Sequence, residues 1–173
     1  MNPLPRTVLL AGLLACAHRG QAQGSPDLDT LERRLAEHPT DAQATLALGL
    51  HLERRGDRPR AQQYLARALD LGVAPARVLP PLVRVSFVLH DYHAAIRYGG
   101  AYRDVLTPGC ARAEPRACAR LAEATVLLAE LHAAVGSIED ARALLRSALL
   151  ADPAQEDARP ALARLDSAAA GAR

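Results

Sequence analysis

Residues Thr45–Gly72 read TLALGLHLERRGDRPRAQQYLARALDLG, and this stretch decides the fold. Thr45, Leu48, Gly49 and Leu52 share one face of a helix. After Gly56-Asp57, Ala61, Leu65 and Ala68 share one face of another. Spacings of three and four predict two amphipathic helices around a tight turn. The pattern returns 34 residues on, where Leu82, His90, Asp91, Ala95 and Tyr98 stand in the places of Leu48, Gly56, Asp57, Ala61 and Tyr64. A third copy follows in Thr125, Leu128, Ala129, His132, Gly136, Ala141, Leu145, Ala148 and Pro153. A helix pair repeating in register predicts a stacked solenoid, because one hairpin cannot bury its apolar face alone. Small residues at Gly49, Ala61, Ala68, Ala129, Ala141 and Ala148 let helices approach, and Leu48, Leu65, Leu128 and Leu145 fill the space between them.

Working outward, the chain divides into eight expected helices with short turns. A short helix, Asp29–Glu37, takes the second-helix slot of a repeat whose first helix is missing. The first full pair is Asp41–Arg55 and Arg58–Leu71, with Gly56 ending one helix in the left-handed conformation. The second pair is about Pro75–Leu89 and Tyr92–Leu106, the latter capped by Asp91. The third is about Pro115–Val135 and Ile138–Ala151, where Gly136 ends one helix, Ser137 caps the next and Asp152-Pro153 stops it. A terminal helix, about Asp157–Ala168, carries a thin apolar face (Leu162, Leu165) and suits a capping role; residues 169–173 are expected to fray.

This spacing resembles the tetratricopeptide repeat family, whose motif reads Trp-x2-Leu-Gly-x2-Tyr, then Ala-x3-Phe, Ala and Pro. Copies one and three fit, with Thr45 and Thr125 in place of Trp and Leu in place of Phe. Copy two departs from it, having Pro80-Pro81 in its first helix and Gly99-Gly100 in its second; the prolines are expected in the first turn or at a bend. The resemblance covers most of residues 27–168 and implies an all-α, right-handed helical-hairpin solenoid of about three pairs. It also implies protein binding rather than catalysis.

Ala95 and Ala141 are 46 residues apart, so about 12 residues are inserted between the second and third pairs. Pro108-Gly109 and Pro115 mark this insertion, near 107–118, as a turn-rich loop. It holds Cys110 and Cys118, which are expected to pair in an oxidising compartment. The alternative, a redox or metal site, has neither a Cys-x-x-Cys motif nor a nearby His.

Residues 1–22 are expected to be an export segment, set apart from the fold. Arg6 precedes an apolar run from Val8 to Ala17, shorter than the roughly 20 residues that span a bilayer. Within it, Leu13-Leu14-Ala15-Cys16 resembles the lipobox of bacterial lipoprotein signal peptides. That resemblance implies cleavage before Cys16 and acylation of its thiol and new amino terminus, hence a membrane anchor. Ala17 rather than Asp after Cys16 implies the outer membrane, facing the periplasm. The alternatives are secretion as a soluble protein, cleaved after Ala17 or Ala22, and a cytosolic chain with an apolar start.

Composition excludes several classes. Every basic residue is Arg, and removal of Arg6 with the leader takes the net charge from +2 to +1. That is too little for a nucleic-acid binder, and with no Trp and Phe87 alone there are no stacking platforms for bases. His90 and His93 flank Asp91 but straddle a helix boundary, where polar turn residues are expected anyway, so no metal site is assigned. His51 and His132 sit on first helices as packing or groove residues. Glu123 and Glu130 share a helix face and read as solvated. With no phosphate loop, nucleophile elbow or zinc-protease motif, no catalytic residue and no cofactor are assigned.

In tetratricopeptide solenoids the first helix of each pair lines an inner groove. The matching positions are Gln43, Leu46, Leu50, Glu53 and Arg54 in the first pair. They are Arg77, Arg84 and Phe87 in the second, and Glu123, Val126 and Glu130 in the third. Such a surface suits an extended or helical peptide, although Leu46, Leu50, Phe87 and Val126 equally suit packing between helices. Lys and Asn, which hold a terminal carboxylate in the family's chaperone-tail clamps, are missing from these positions. The expectation is a scaffold that holds a protein or peptide segment of another envelope protein, as in assembly-type lipoproteins. The alternative is a soluble periplasmic adaptor acting on an enzyme or sensor. End-to-end pairing into a homodimer is compatible with so short a solenoid.

Overall fold

A computed structural model of the chain describes residues 27–171. The segment expected to direct export, with Cys16, and residues 172–173 lie outside the described residues. Those described form eight helices: α1 (Leu28–Glu37), α2 (Ala42–Arg55), α3 (Arg58–Asp70), α4 (Pro75–Val88), α5 (Tyr92–Ala111), α6 (Pro115–Ala134), α7 (Ile138–Ala151) and α8 (Ala158–Gly171). They pair as α2–α3, α4–α5 and α6–α7, with α1 leading and α8 closing the stack. None of them is long and apolar enough to cross a membrane.

Local chemistry sets the boundaries. Asp27, Asp41, Asp57 and Asp91 each precede a helix and accept a bond from the N–H three residues on, at 2.8, 2.9, 3.4 and 3.1 Å. Each satisfies a donor that the helix leaves without a partner. Ser137 stands in the same place before α7, but its side chain makes no capping bond. At the turn inside each pair the backbone is left-handed: Gly56 has φ 83° and Gly136 has φ 80°. His90 occupies the equivalent position with φ 59°, a conformation that costs a non-glycine residue about 1–2 kcal/mol.

Packing follows the repeat. Leu48, Ala61, Leu65 and Ala68 are fully buried in a core that joins α1 to α5. Ala141, Leu145 and Ala148 anchor a second core under α6, α7 and α8. Val83, Ala95, Leu128 and Leu131 join the two across α4, α5 and α6. Each buried Leu contributes about 1.5–3 kcal/mol over an exposed one. Thr45 and Thr125, standing where the family has Trp, are 0% and 2% exposed. Their hydroxyls donate to the carbonyls of Asp41 and Leu121, at 2.7 and 2.6 Å, so neither buried oxygen lacks a partner.

The second pair and the insertion differ from expectation. Of the two expectations for Pro80 and Pro81, the first turn is excluded: they lie in the second turn of α4, and the helix continues to Val88. Gly99 marks a close approach: a Cβ there would stand 3.2 Å from Leu128 Cδ1, so Leu128 fills the space the glycine leaves. The inserted residues are not a loop. They lengthen α5 to Ala111, through Pro108, and open α6 at Pro115, leaving a turn of three residues. The expected end of α5 at Leu106 is therefore too early by more than a turn. Cys110 and Cys118 form a disulfide between the last turn of α5 and the first of α6.

At the far end α8 runs to Gly171, past the expected stop at Ala168. Arg142, buried on α7, fastens it. Its Nη2 donates to the Leu165 carbonyl at 2.8 Å, its Nη1 to Glu139 at 2.6 Å, and its Nε lies 2.9 Å from the Asp166 carboxylate.

Candidate functional site

The first helices α2, α4 and α6 carry the positions expected to line the groove. The structure joins α2 to α4 by two polar rungs. Arg77 Nη1 donates to Gln43 Oε1 at 3.0 Å, and Arg84 contacts Glu53 Oε1 through Nε at 3.1 Å and Nη2 at 2.9 Å. Both rungs join residues about one repeat apart, so the period itself brings them opposite each other. Leu50 and Pro80, both half-buried, lie between the rungs in sequence. Phe87 follows Arg84 by one turn and is 44% exposed; its ring meets that of Tyr92 edge-on at 5.9 Å.

Not every expected groove residue is available. Leu46 and Val126 are 2% and 5% exposed and belong to the two cores, so they pack between helices and offer no surface to a ligand. Gln43, Arg54, Arg77, Arg84, Phe87, Glu123 and Glu130 are exposed, and Leu50 and Glu53 are half-buried. The α6 end differs in character. Glu130 lines a cavity of about 200 Å³ between α6, α7 and α8, whose walls include Ala133, Ala161 and Leu165, with Arg164 at its edge.

Two features escaped the sequence. Val88, 47% exposed, is the second-pair counterpart of Arg54, 34 residues on. With Val85, Arg58, Arg84 and Glu53 it lines a cavity of about 230 Å³. Carrying the groove register one position further would have found it. Between α5 and α7, with α6 residues also in its lining, lies a wider cavity of about 570 Å³. Its lining includes Gly100, Arg103, His132 and Asp140. The signal was Gly100, which leaves open space where a side chain would stand.

Two of the histidines have a polar neighbour, whereas His51 Nε2 is buried without a hydrogen-bond partner. His90 Nδ1 is 3.1 Å from the Tyr92 hydroxyl, within the turn, and His93 is exposed on α5. His132 Nδ1 lies 3.6 Å from an Asp140 carboxylate oxygen. Among the described residues no group of three His, Cys, Asp or Glu side chains gathers at metal-binding distance.

No protein-family model matches the chain, and no curated protein sequence does. Solved structures are similar to it in fold. A crystal structure of MamA superposes with a TM-score of 0.68 at 16% identity, over 83% of this chain and 77% of that one. A second MamA crystal structure gives 0.65 at 17%, over 80% and 69%. The MamA RS-1 ArsTM double mutant gives 0.57 at 17%, over 82% and 84%. At such identities the likeness speaks to the fold, and the fold is an all-α, right-handed helical-hairpin solenoid of three tetratricopeptide-like pairs.

Proposed function

We propose that this protein is a non-enzymatic interaction scaffold of the bacterial cell envelope. It is lipid-anchored through Cys16 and holds a peptide segment of another envelope protein on its first-helix face. The observation that carries the reading is the α2–α4 surface. Arg77 and Arg84 are pre-positioned by Gln43 and Glu53, and the exposed aromatic Phe87 follows Arg84 by one turn. Pre-positioned polar groups beside an apolar anchor are what a linear segment needs for recognition, since little ordering is left to be done on binding. No cofactor enters this reading. The outer-membrane location and the anchor rest on the lipobox-like Leu13-Leu14-Ala15-Cys16.

Two measurements test it. Membrane fractionation of wild type and Cys16→Ser should place the first with membranes and release the second. Both proteins in the soluble fraction would replace the anchored scaffold by the soluble periplasmic adaptor. Crosslinked co-purification from native membranes should capture a partner that is lost when Arg77, Arg84 and Glu130 are charge-reversed together. Equal capture by both forms would move the binding surface elsewhere.

A further inference from the structure

Resting on the scaffold reading above, we propose that the α2–α4 end of the inner face takes an acidic linear segment bearing one apolar anchor residue. Charge points to the acid. Arg54, Arg58 and Arg77 are exposed, and among the described residues none has a carboxylate within ion-pair distance. Arg77 is held by the neutral amide of Gln43, which fixes the guanidinium without neutralising it. Arg84 is paired with Glu53, yet 59% of its side chain is exposed. Of these four guanidinium groups only that of Arg84 is paired with a carboxylate. A planar guanidinium with free N–H donors selects carboxylates in a paired geometry.

The anchor follows from the same place. Phe87 and Val88 are 44% and 47% exposed, the two large apolar side chains of α4 left in solvent. Val88 also lines the cavity of about 230 Å³ shared with Arg58 and Arg84, so an apolar side chain seated there brings its neighbours to two cations. Arg77 and Phe87 are ten residues apart on α4, about 15 Å along the helix. Four to five residues of extended chain cover that length. The segment thus has an acid facing Arg77, a short spacer, an apolar residue on Phe87 and Val88, and further acid beside it for Arg54 and Arg58. An anionic bilayer is the weaker fit, because a wide anionic surface would also meet Glu123 and Glu130, exposed on the next first helix, α6.

The test is fluorescence anisotropy with purified mature protein and a labelled synthetic decapeptide carrying Asp, a Ser-Gly spacer, Leu and two Glu. Two companion peptides replace the acids by Ser or by Lys. The acidic peptide should bind about tenfold more tightly than the Ser version, and the Lys version should not bind. Binding should weaken as salt rises, and fall about tenfold in Phe87→Ala and in the double variant Arg54→Glu/Arg58→Glu, with thermal midpoints unchanged. Equal or tighter binding of the Ser or Lys peptide overturns the acidic specificity and leaves the scaffold reading standing. So does binding that survives both variants. No binding of any peptide, or capture by anionic phosphatidylglycerol vesicles in place of the peptide, overturns the inference. The scaffold reading is judged separately, by crosslinking at Phe87 in native membranes.

Discussion

Arg84 of α4 reaches Glu53 of α2 at 2.9 Å, closing the surface between two consecutive repeats. The pair sits partly in water, where such contacts contribute little to stability, commonly below about 1 kcal/mol. Arg84→Ala should therefore leave the thermal midpoint nearly unchanged, while weakening capture of a partner on this face. A large loss of stability, measured by thermal unfolding, would show instead that the pair holds the repeats together.

Gly49 and Gly100 should respond to alanine in opposite ways. A Cβ on Gly49 would stand 2.9 Å from Leu65 Cγ and 3.1 Å from the Leu65 backbone nitrogen, in a fully buried contact. Overpacking of this kind costs about 1–3 kcal/mol. A Cβ on Gly100 meets nothing within 4 Å, and replacing a helical glycine there should stabilise by about 0.5–1 kcal/mol. Denaturant unfolding of the two variants measures both signs.

The Cys110–Cys118 disulfide closes a short segment at the α5–α6 turn. Its removal by Cys110→Ser with Cys118→Ser should lower stability by about 2–3 kcal/mol in the chain-entropy model. Unfolding under non-reducing conditions checks this, and an unchanged midpoint would show that the flanking helices hold the turn unaided.

Asp41 links stability to acid. The Ala44 N–H bond first, and the Arg34 guanidinium at 2.7 Å after it, hold its carboxyl below the usual value of 3.8. A carboxyl depressed on folding gives its full stabilisation above the unfolded value, and loses it as pH falls from there through the folded value. The midpoint difference between wild type and Asp41→Asn should hold steady above about pH 5 and shrink below about pH 4. A difference that stays constant into strong acid would remove Asp41 from the acid response.

Much of this architecture was legible because its causes are local. Asp41, Gly56, Asp57, Asp91 and Gly136 act within three residues of themselves, so sequence alone places the turns. The insertion was misread because Pro108-Gly109 signals a turn, whereas pairing of the lengthened α5 and α6 carries both residues inside a helix. Leu46 and Val126 were read equally as groove and core residues, since register names a helix face without saying how closely the next helix covers it. The Gln43–Arg77 and Glu53–Arg84 rungs depend on side chains meeting across that cover, which only the assembled stack shows. Cys16 lies outside the described residues, and the role proposed for it rests on motif resemblance.

A partner held on the first-helix face in the envelope would lie against α4. A photo-crosslinking amino acid at Phe87, exposed on α4, tests this most directly in intact cells, with the same group at Leu150 of α7, 86% exposed, as control. One discrete crosslinked protein is expected from position 87 and none from position 150. A discrete adduct from position 150 alone, or none from position 87, would contradict binding on this face.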